Sequence, residues 1–196
     1  MKKLTASIAI LISCVVASNL FADEITDSID EGTSYYKDEN YAAAISSLKY
    51  AIQLMTQKST EELAKFLPEA IDGFEMSEPE TNSGGMELFG GGSSTSADYN
   101  SEEGEITITI SANSPALQSV LMMMNNPMFL GSQKMERIAG QKAIVDWDNS
   151  DNSGSVNIIV GGSALVSAEG SNVSFDQVKK LLGNVDFKKL TAYVTQ

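Results

Sequence analysis

The helical spacing of apolar residues at the front of this chain ends near Leu67 and Pro68, and the change predicts two kinds of structure. Before it, residues 25–57 space their apolar side chains as amphipathic helices do. After it, several segments alternate apolar and polar residues as half-buried strands do, most clearly residues 105–110 (EITITI). The sequence therefore predicts a helical hairpin followed by a domain that contains a β-sheet.

The helical segment carries small and aromatic residues at fixed positions. They are Gly32, Tyr35, Tyr41, Ala44, Leu48 and Ala51. Glycine and alanine allow two antiparallel helices to approach closely, and the larger side chains fill the groove between them. On this spacing residues 31–52 resemble a tetratricopeptide (TPR) repeat, with Thr56 where that motif has proline. The resemblance implies a surface that docks a peptide or a protein.

Only one such repeat is visible, whereas these units normally bury their apolar faces on neighbouring repeats. Residues 59–67 predict a third short helix that covers the hairpin, because Ser59 and Glu62 have the spacing of a capping box. Two interpretations stay open: the hairpin docks a partner, or it packs on the next domain or forms a homodimer. For docking, the candidate partner-binding residues are Tyr35, Tyr36, Tyr41 and Tyr50.

Residues 68–196 predict an antiparallel sheet made of three strand pairs. The pairs are 94–99 with 105–110, 135–139 with 142–148, and 154–160 with 163–169. Gly161-Gly162 favours a two-residue turn in the last pair. Ser114-Pro115 and Ser174 each predict the start of a helix. We therefore expect an α+β fold: a TPR-like helical hairpin, then an antiparallel sheet with two packed helices.

Residues 82–96 (NSGGMELFGGGSSTS) form the segment of the chain that is most like a linker. A glycine-rich run binds a nucleotide phosphate when it has a Gly-Lys-Ser/Thr ending, or when it follows a strand and opens a helix as G-x-G-x-x-G. This run has neither feature. The sequence predicts a loop between two strands.

Residues 1–22 have the pattern of a secretory signal peptide. Lys2 and Lys3 precede an apolar stretch, and Ala22 is a small residue at the expected cleavage point. In a second interpretation, residues 11–14 (LISC) resemble the lipobox of bacterial lipoproteins, and Cys14 would be lipidated. The first interpretation predicts a periplasmic or secreted protein with no membrane span after cleavage, and the second a protein anchored at Cys14.

Cleavage after Ala22 removes two lysines and no acidic residue, which shifts the formal net charge from −13 to −15. It also removes Cys14, the single cysteine of a chain that has no histidine. The exported product would then have no thiol, no disulfide and no imidazole. The whole chain resembles a type of exported bacterial protein of unknown function that joins a TPR-like hairpin to an α+β domain. That resemblance implies a location in the cell envelope.

Composition excludes several classes of function. Without histidine there is no Ser-His or Cys-His catalytic pair and no imidazole ligand for zinc. With 26 acidic and 13 basic residues, the chain lacks the basic surface that nucleic acids require. Carboxylate pairs such as Asp146 and Asp148 occur near turns or helix caps, where acidic residues are common. We expect a protein that is not an enzyme and has no cofactor.

Methionines are concentrated in residues 122–128. Leu117, Val120, Leu121, Met124 and Met128 have the i, i+3, i+4 spacing of a core-facing stripe. This leaves Met122 and Met123 for another surface, where thioethers would suit a partner protein or Cu(I). Residues 146–154 (DWDNSDNSG) offer oxygen ligands, but they lack the glycine and glutamate of an EF-hand and predict an ordinary hairpin loop.

Together these patterns favour an exported accessory protein that binds another envelope protein or a peptide through the helical hairpin. The alternative is a module that binds a small ligand or a metal through the β domain and the methionine cluster.

Overall fold

The computed structural model describes residues 24–82, 92–126, 128 and 130–196. The predicted signal peptide, Cys14 and residues 83–91 of the glycine-rich segment lie outside these ranges. The described chain forms two compact units, the first ending at Lys58 and the second running from Ser59 to Gln196. Its helices and its antiparallel sheet confirm the predicted α+β class.

Two antiparallel helices make up the first unit. Helix α1 covers residues 24–37, and α2 covers Tyr41–Ala64. Residues 38–40 turn the chain between them: Glu39 has a φ of 57°, and the amide of Asn40 donates to the carbonyl of Tyr35 at 2.9 Å.

The separate third helix predicted from Ser59 does not exist, because α2 continues through that residue to Ala64. No glycine or proline interrupts residues 41–64. A serine caps a helix only where the preceding residue has left helical geometry, so Ser59 stays inside α2. The boundary between the two units accordingly falls inside α2, nine residues before the boundary predicted at Leu67.

The second unit contains one antiparallel sheet, whose strands differ in length. Its described strands are β1 (Glu75–Met76), β2 (Glu80–Asn82), β3 (Ser93–Asn100), β4 (Glu105–Ala112), β5 (Lys134–Ile138), β6 (Gln141–Asp148), β7 (Ser153–Val160) and β8 (Ala164–Ser171). Their order is β1-β3-β4-β8-β7-β6-β5, with β2 also paired to β3. The three predicted strand pairs are confirmed as β3–β4, β5–β6 and β7–β8.

Three helices of the second unit follow strands. Helix α3 (Pro115–Asn125) begins at the predicted cap, where Ser114 Oγ accepts from the amide of Leu117 at 3.4 Å. Helix α4 (Phe175–Leu182) begins with a capping box formed by Ser174 and Gln177. Helix α5 (Phe187–Val194) was not predicted. The second unit therefore contains three described helices, where the sequence predicted two.

The main core lies on one face of the sheet. The alternation of β4 puts Ile106, Ile108 and Ile110 into it with no exposed surface. Side chains from β7, β8, α4 and α5 complete this core, among them Val156, Ile158, Val166, Val178, Leu181 and Leu190. A smaller core on the opposite face joins α3 to the sheet through Leu117, Val120, Ile144 and Leu165. The sheet is therefore covered on one face and partly covered on the other.

Trp147 packs over two glycines of neighbouring strands. A β-carbon on Gly170 would lie 2.6 Å from Cη2 of the indole, and one on Gly154 would lie 2.9 Å from its Cε3. The other side of the indole packs on Phe175 of α4, with ring centroids 5.3 Å apart. The glycines thus create the space that the tryptophan fills.

We expect Gly170→Ala to lower the free energy of unfolding by about 1–3 kcal/mol, because the added methyl group forces the indole out of its packed position. Urea titration followed by the fluorescence of Trp147 measures the change. Ser171→Ala, at an exposed position of the same strand, is the control and should change stability by less than about 0.5 kcal/mol. Equal stability of the two variants would contradict this packing.

Tyr99 is fully buried, and its hydroxyl donates to the carbonyl oxygen of Pro68 at 2.6 Å. Burial raises the pKa of Tyr99 well above its usual value. Native Tyr99 therefore keeps a proton that the unfolded chain loses above about pH 10, so that stability should fall as the pH rises past this value.

Tyr99→Phe should remove this part of the pH dependence. At neutral pH it should cost about 1–3 kcal/mol, because the buried carbonyl loses its donor. Urea titrations at pH 7 and at pH 10–11 measure both effects, with Tyr193→Phe as the matched tyrosine control. A wild-type decline above pH 10 that persists unchanged in Tyr99→Phe would refute the assignment.

Candidate functional site

The two helices of the first unit pack through small residues. Gly32 of α1 is buried, and a β-carbon there would lie 2.8 Å from Cγ of Leu48. Within the first unit, the buried positions of α2 are Ala44, Ser47, Ala51 and Leu54. These residues follow one another at intervals of three and four, so they form a single stripe along the helix. This stripe explains the close approach that the sequence predicted for the hairpin.

Polar groups fix the alignment of the two helices. Ser47 Oγ donates to Glu31 Oε2 at 2.8 Å, and the hydroxyl of Tyr50 donates to Glu24 Oε1 at 2.6 Å. Both bonds run between α1 and α2. The hydrogen bond to Glu24 and its negative charge raise the pKa of Tyr50, because tyrosinate would lie beside a carboxylate.

A second stripe of apolar side chains on this unit is exposed. On α2 it consists of Tyr41, Ile45, Leu48, Ile52 and Met55, and α1 contributes the exposed Ile29 and Tyr36. The rings of Tyr36 and Tyr41 are 6.0 Å apart, which joins the two helices across this surface. We call these seven residues the hairpin face. Isolated exposed apolar residues are ordinary, but a continuous row of them marks an interaction surface.

Two of the four predicted partner-binding tyrosines, Tyr36 and Tyr41, belong to the hairpin face. Tyr50 lies nine residues after Tyr41, which places it on the opposite side of α2 and outside the hairpin face. Its hydroxyl donates to Glu24. Tyr35 is half-buried and donates to Glu31 Oε1 at 3.4 Å. The four residues are thus not one surface.

Sequence reasoning missed the aliphatic part of the hairpin face, Ile45, Ile52 and Met55. It placed Leu48 in the groove between the helices, and Leu48 does lie over Gly32 but remains 40% exposed. The signal was present as the regular 4-3-4-3 spacing of residues 41, 45, 48, 52 and 55.

Met122 and Met123, both on α3, lie in different environments. Met122 is 59% exposed, whereas Met123 packs against the smaller core beside Met124 and Leu121. Neighbouring residues of a helix point about 100° apart, so the two side chains leave α3 in different directions. The thioether site stays a prediction.

In the second unit, the half of the sheet surface that α3 leaves open is polar. A shallow depression of about 510 Å³ is lined by Glu105, Asp146, Asp148 and Glu169, together with serine and threonine hydroxyls. In the described residues no three acidic side chains are grouped so that they hold a metal ion. This surface brings Asp146 and Asp148 to one side of β6, and at its other end the hydroxyl of Thr107 donates to Glu105 Oε1 at 3.3 Å.

The loop between β6 and β7 is the hairpin turn that its composition predicted. Asp148 Oδ1 accepts from the amide of Ser150 at 2.7 Å and also from its hydroxyl. These hydrogen bonds lower the pKa of Asp148. Asn152, at the end of the loop, has a φ of 47°. The carboxylate of Asp148 thus stabilises the turn itself.

Comparisons with known proteins identify no relative: no family model, no curated protein and no solved structure matches this chain. Among the described residues, no helix combines the length and the apolar character that crossing a membrane requires.

Glu24→Gln should lower the pKa of Tyr50 towards that of a free tyrosine, because the substitution removes the negative charge beside the phenol. Titration of protein labelled with ¹³C at the tyrosine ζ carbon measures it directly by NMR. Asp27→Gln, a charge removal on the same helix, is the control and should leave the Tyr50 resonance unchanged. A Tyr50 pKa that is insensitive to Glu24 would refute the alignment of α1 and α2 described here.

Proposed function

We propose that this chain is an exported, non-enzymatic accessory protein whose first unit binds another protein or peptide of the cell envelope at the hairpin face. The observation that supports the proposal is the exposure of that face: Tyr41 is 57% exposed, Ile45 55% and Ile52 53%. Side chains of this size gain about 1.5–3 kcal/mol when they pass from full exposure to full burial, so covering the exposed half of each is favourable by about 1 kcal/mol.

The chemistry of the surface defines the type of partner. Its apolar stripe is continuous along α2 and is one helix wide, which fits an amphipathic helix laid along it. The resemblance of residues 31–52 to a TPR repeat supports the same role, since such repeats dock peptides and other helices. The periplasmic location is part of this proposal and rests on the pattern of residues 1–22.

A photo-crosslinking amino acid placed at position 45 tests the docking surface in living cells. We expect a crosslinked product at position 45 and little or none at position 53. Gln53 is also exposed and lies on the same helix, but it is outside the apolar stripe. Adding Met55→Lys to the chain should weaken the crosslink from position 45. Equal crosslinking from positions 45 and 53 would contradict docking at the hairpin face.

A further inference from the structure

We propose that the occupant of the hairpin face is a second copy of this chain, and that the two copies of α2 pair antiparallel about a two-fold axis. This inference rests on the proposed function, since both need a protein to cover the hairpin face. It adds the identity of that protein: the envelope protein that binds is the chain itself.

The spacing of the stripe is that of a coiled-coil seam. Residues 41, 45, 48, 52 and 55 alternate intervals of four and three, which averages 3.5 residues per turn. Such a seam packs best against a second helix with the same repeat. When a second copy is aligned in the opposite direction and shifted by one seam position, residues 45, 48, 52 and 55 of both copies match with intervals 3-4-3, and Tyr41 lies beyond the matched positions. Two copies of α2 therefore supply matching seams, with Ile45 beside the partner's Met55 and Leu48 beside the partner's Ile52.

The part of α2 that carries the seam is free of carboxylates, and Glu61 and Glu62 follow it only at the end of the helix. The chain has 26 acidic residues, yet residues 41–60 contain none and carry Lys49 and Lys58. An acidic protein repels its own copies across most surfaces, but along this stretch no carboxylate faces another.

Two of the four acidic residues of α1 lie away from Ile29. Asp27 and Glu31 are each two residues from Ile29, about 200° around the helix, and so lie on its opposite side. The apolar positions of α1 are consequently free of nearby carboxylates from these two residues.

An antiparallel two-fold arrangement also accounts for the exposed residues of α1. Rotation about an axis perpendicular to both α2 helices places the two α1 helices on the same side of the pair. Ile29 and Tyr36, which flank the α2 seam, then face the partner's α1. A parallel pair would place the two α1 helices on opposite sides and leave both residues exposed. The antiparallel arrangement is a four-helix bundle, the usual solution for paired helical hairpins.

The area of the hairpin face is sufficient. A standard interface buries about 800 Å² per partner, of which about 65% is apolar in homodimers, or about 500 Å². Seven side chains that are 38–64% exposed provide apolar surface on the order of 500 Å². The face therefore matches the apolar surface that one side of a stable homodimer requires.

Sedimentation equilibrium of the purified protein tests the proposal. We expect a dimer, and we expect Ile45→Lys combined with Ile52→Lys to raise the dissociation constant about 100-fold or more, because the lysines lose water without gaining a counter-charge. Gln53→Lys adds charge to an exposed position of the same helix outside the seam and should remain dimeric. Since Ile45 and Ile52 are exposed, far-ultraviolet circular dichroism should show unchanged helix content in the variant. A milder variant, Ile52→Ser, should give an intermediate dissociation constant.

Disulfide trapping tests the orientation. In a protein whose Cys14 is serine, Ile45→Cys chains and Met55→Cys chains should form mixed disulfides when combined. Ile45→Cys alone should not form them, since its two copies would lie about 15 Å apart along the axis, beyond the reach of a disulfide. Efficient disulfides within Ile45→Cys alone would overturn the antiparallel arrangement.

The outcomes separate this inference from the proposed function. A wild-type monomer at all concentrations, together with a position-45 crosslink to a different protein, would overturn the second copy and leave docking at the hairpin face intact. A monomer that forms no position-specific crosslink would overturn both. A crosslinked product whose peptides all come from this chain supports both.

Discussion

Burial of the isoleucines of β4 is the interaction on which the second unit depends. Ile106, Ile108 and Ile110 occupy the strand between β3 and β8 and have no exposed surface, while the alternate threonines face the other way. The helices α4 and α5 pack against this row and the matching valines of β7 and β8. Since the described residues contain no cysteine, no disulfide supports the arrangement, and packing must hold it.

The fold was predictable where one local pattern had one meaning. The strict alternation of residues 105–110 is typical only of a half-buried strand. Ser174 and Gln177 have the spacing of a capping box, and no competing pattern surrounds them. Helix α5 was predictable by the same rules, from Asp186 as a cap and Phe187 and Leu190 as buried positions, but its eight residues make a weak periodic signal. The capping-box spacing of Ser59 and Glu62 led to the wrong prediction of a separate third helix. A serine caps a helix only after a break in the preceding helix, and the sequence contains no such break.

The hairpin face was only partly predictable, for a physical reason. Helix α2 carries two stripes with the same intervals of three and four: residues 44, 47, 51 and 54, and residues 41, 45, 48, 52 and 55. The first consists mostly of small side chains and is buried, whereas the second consists of large ones and is exposed. Hydrophobicity alone would bury the second stripe. The stripe of small side chains faces α1 because α1 approaches α2 closely at Gly32. The periodicity of the α2 sequence alone does not predict which stripe faces α1.

Two stripes on one helix also bear on how a single helical hairpin remains folded. A helix pair held mostly by alanine, serine and glycine buries little apolar surface, and isolated helical repeats are normally stabilised by neighbours. In an array, the next repeat would cover the larger side chains of α2. In the proposed dimer, the second copy takes that place, and two hairpins form the four-helix core that neither can form alone. Association then adds stability to a hairpin that is already folded, because a partner that binds only the folded hairpin stabilises it by an amount that rises with the logarithm of the partner's concentration above the dissociation constant. The large exposed side chains of α2 are, on this argument, half of a hydrophobic core.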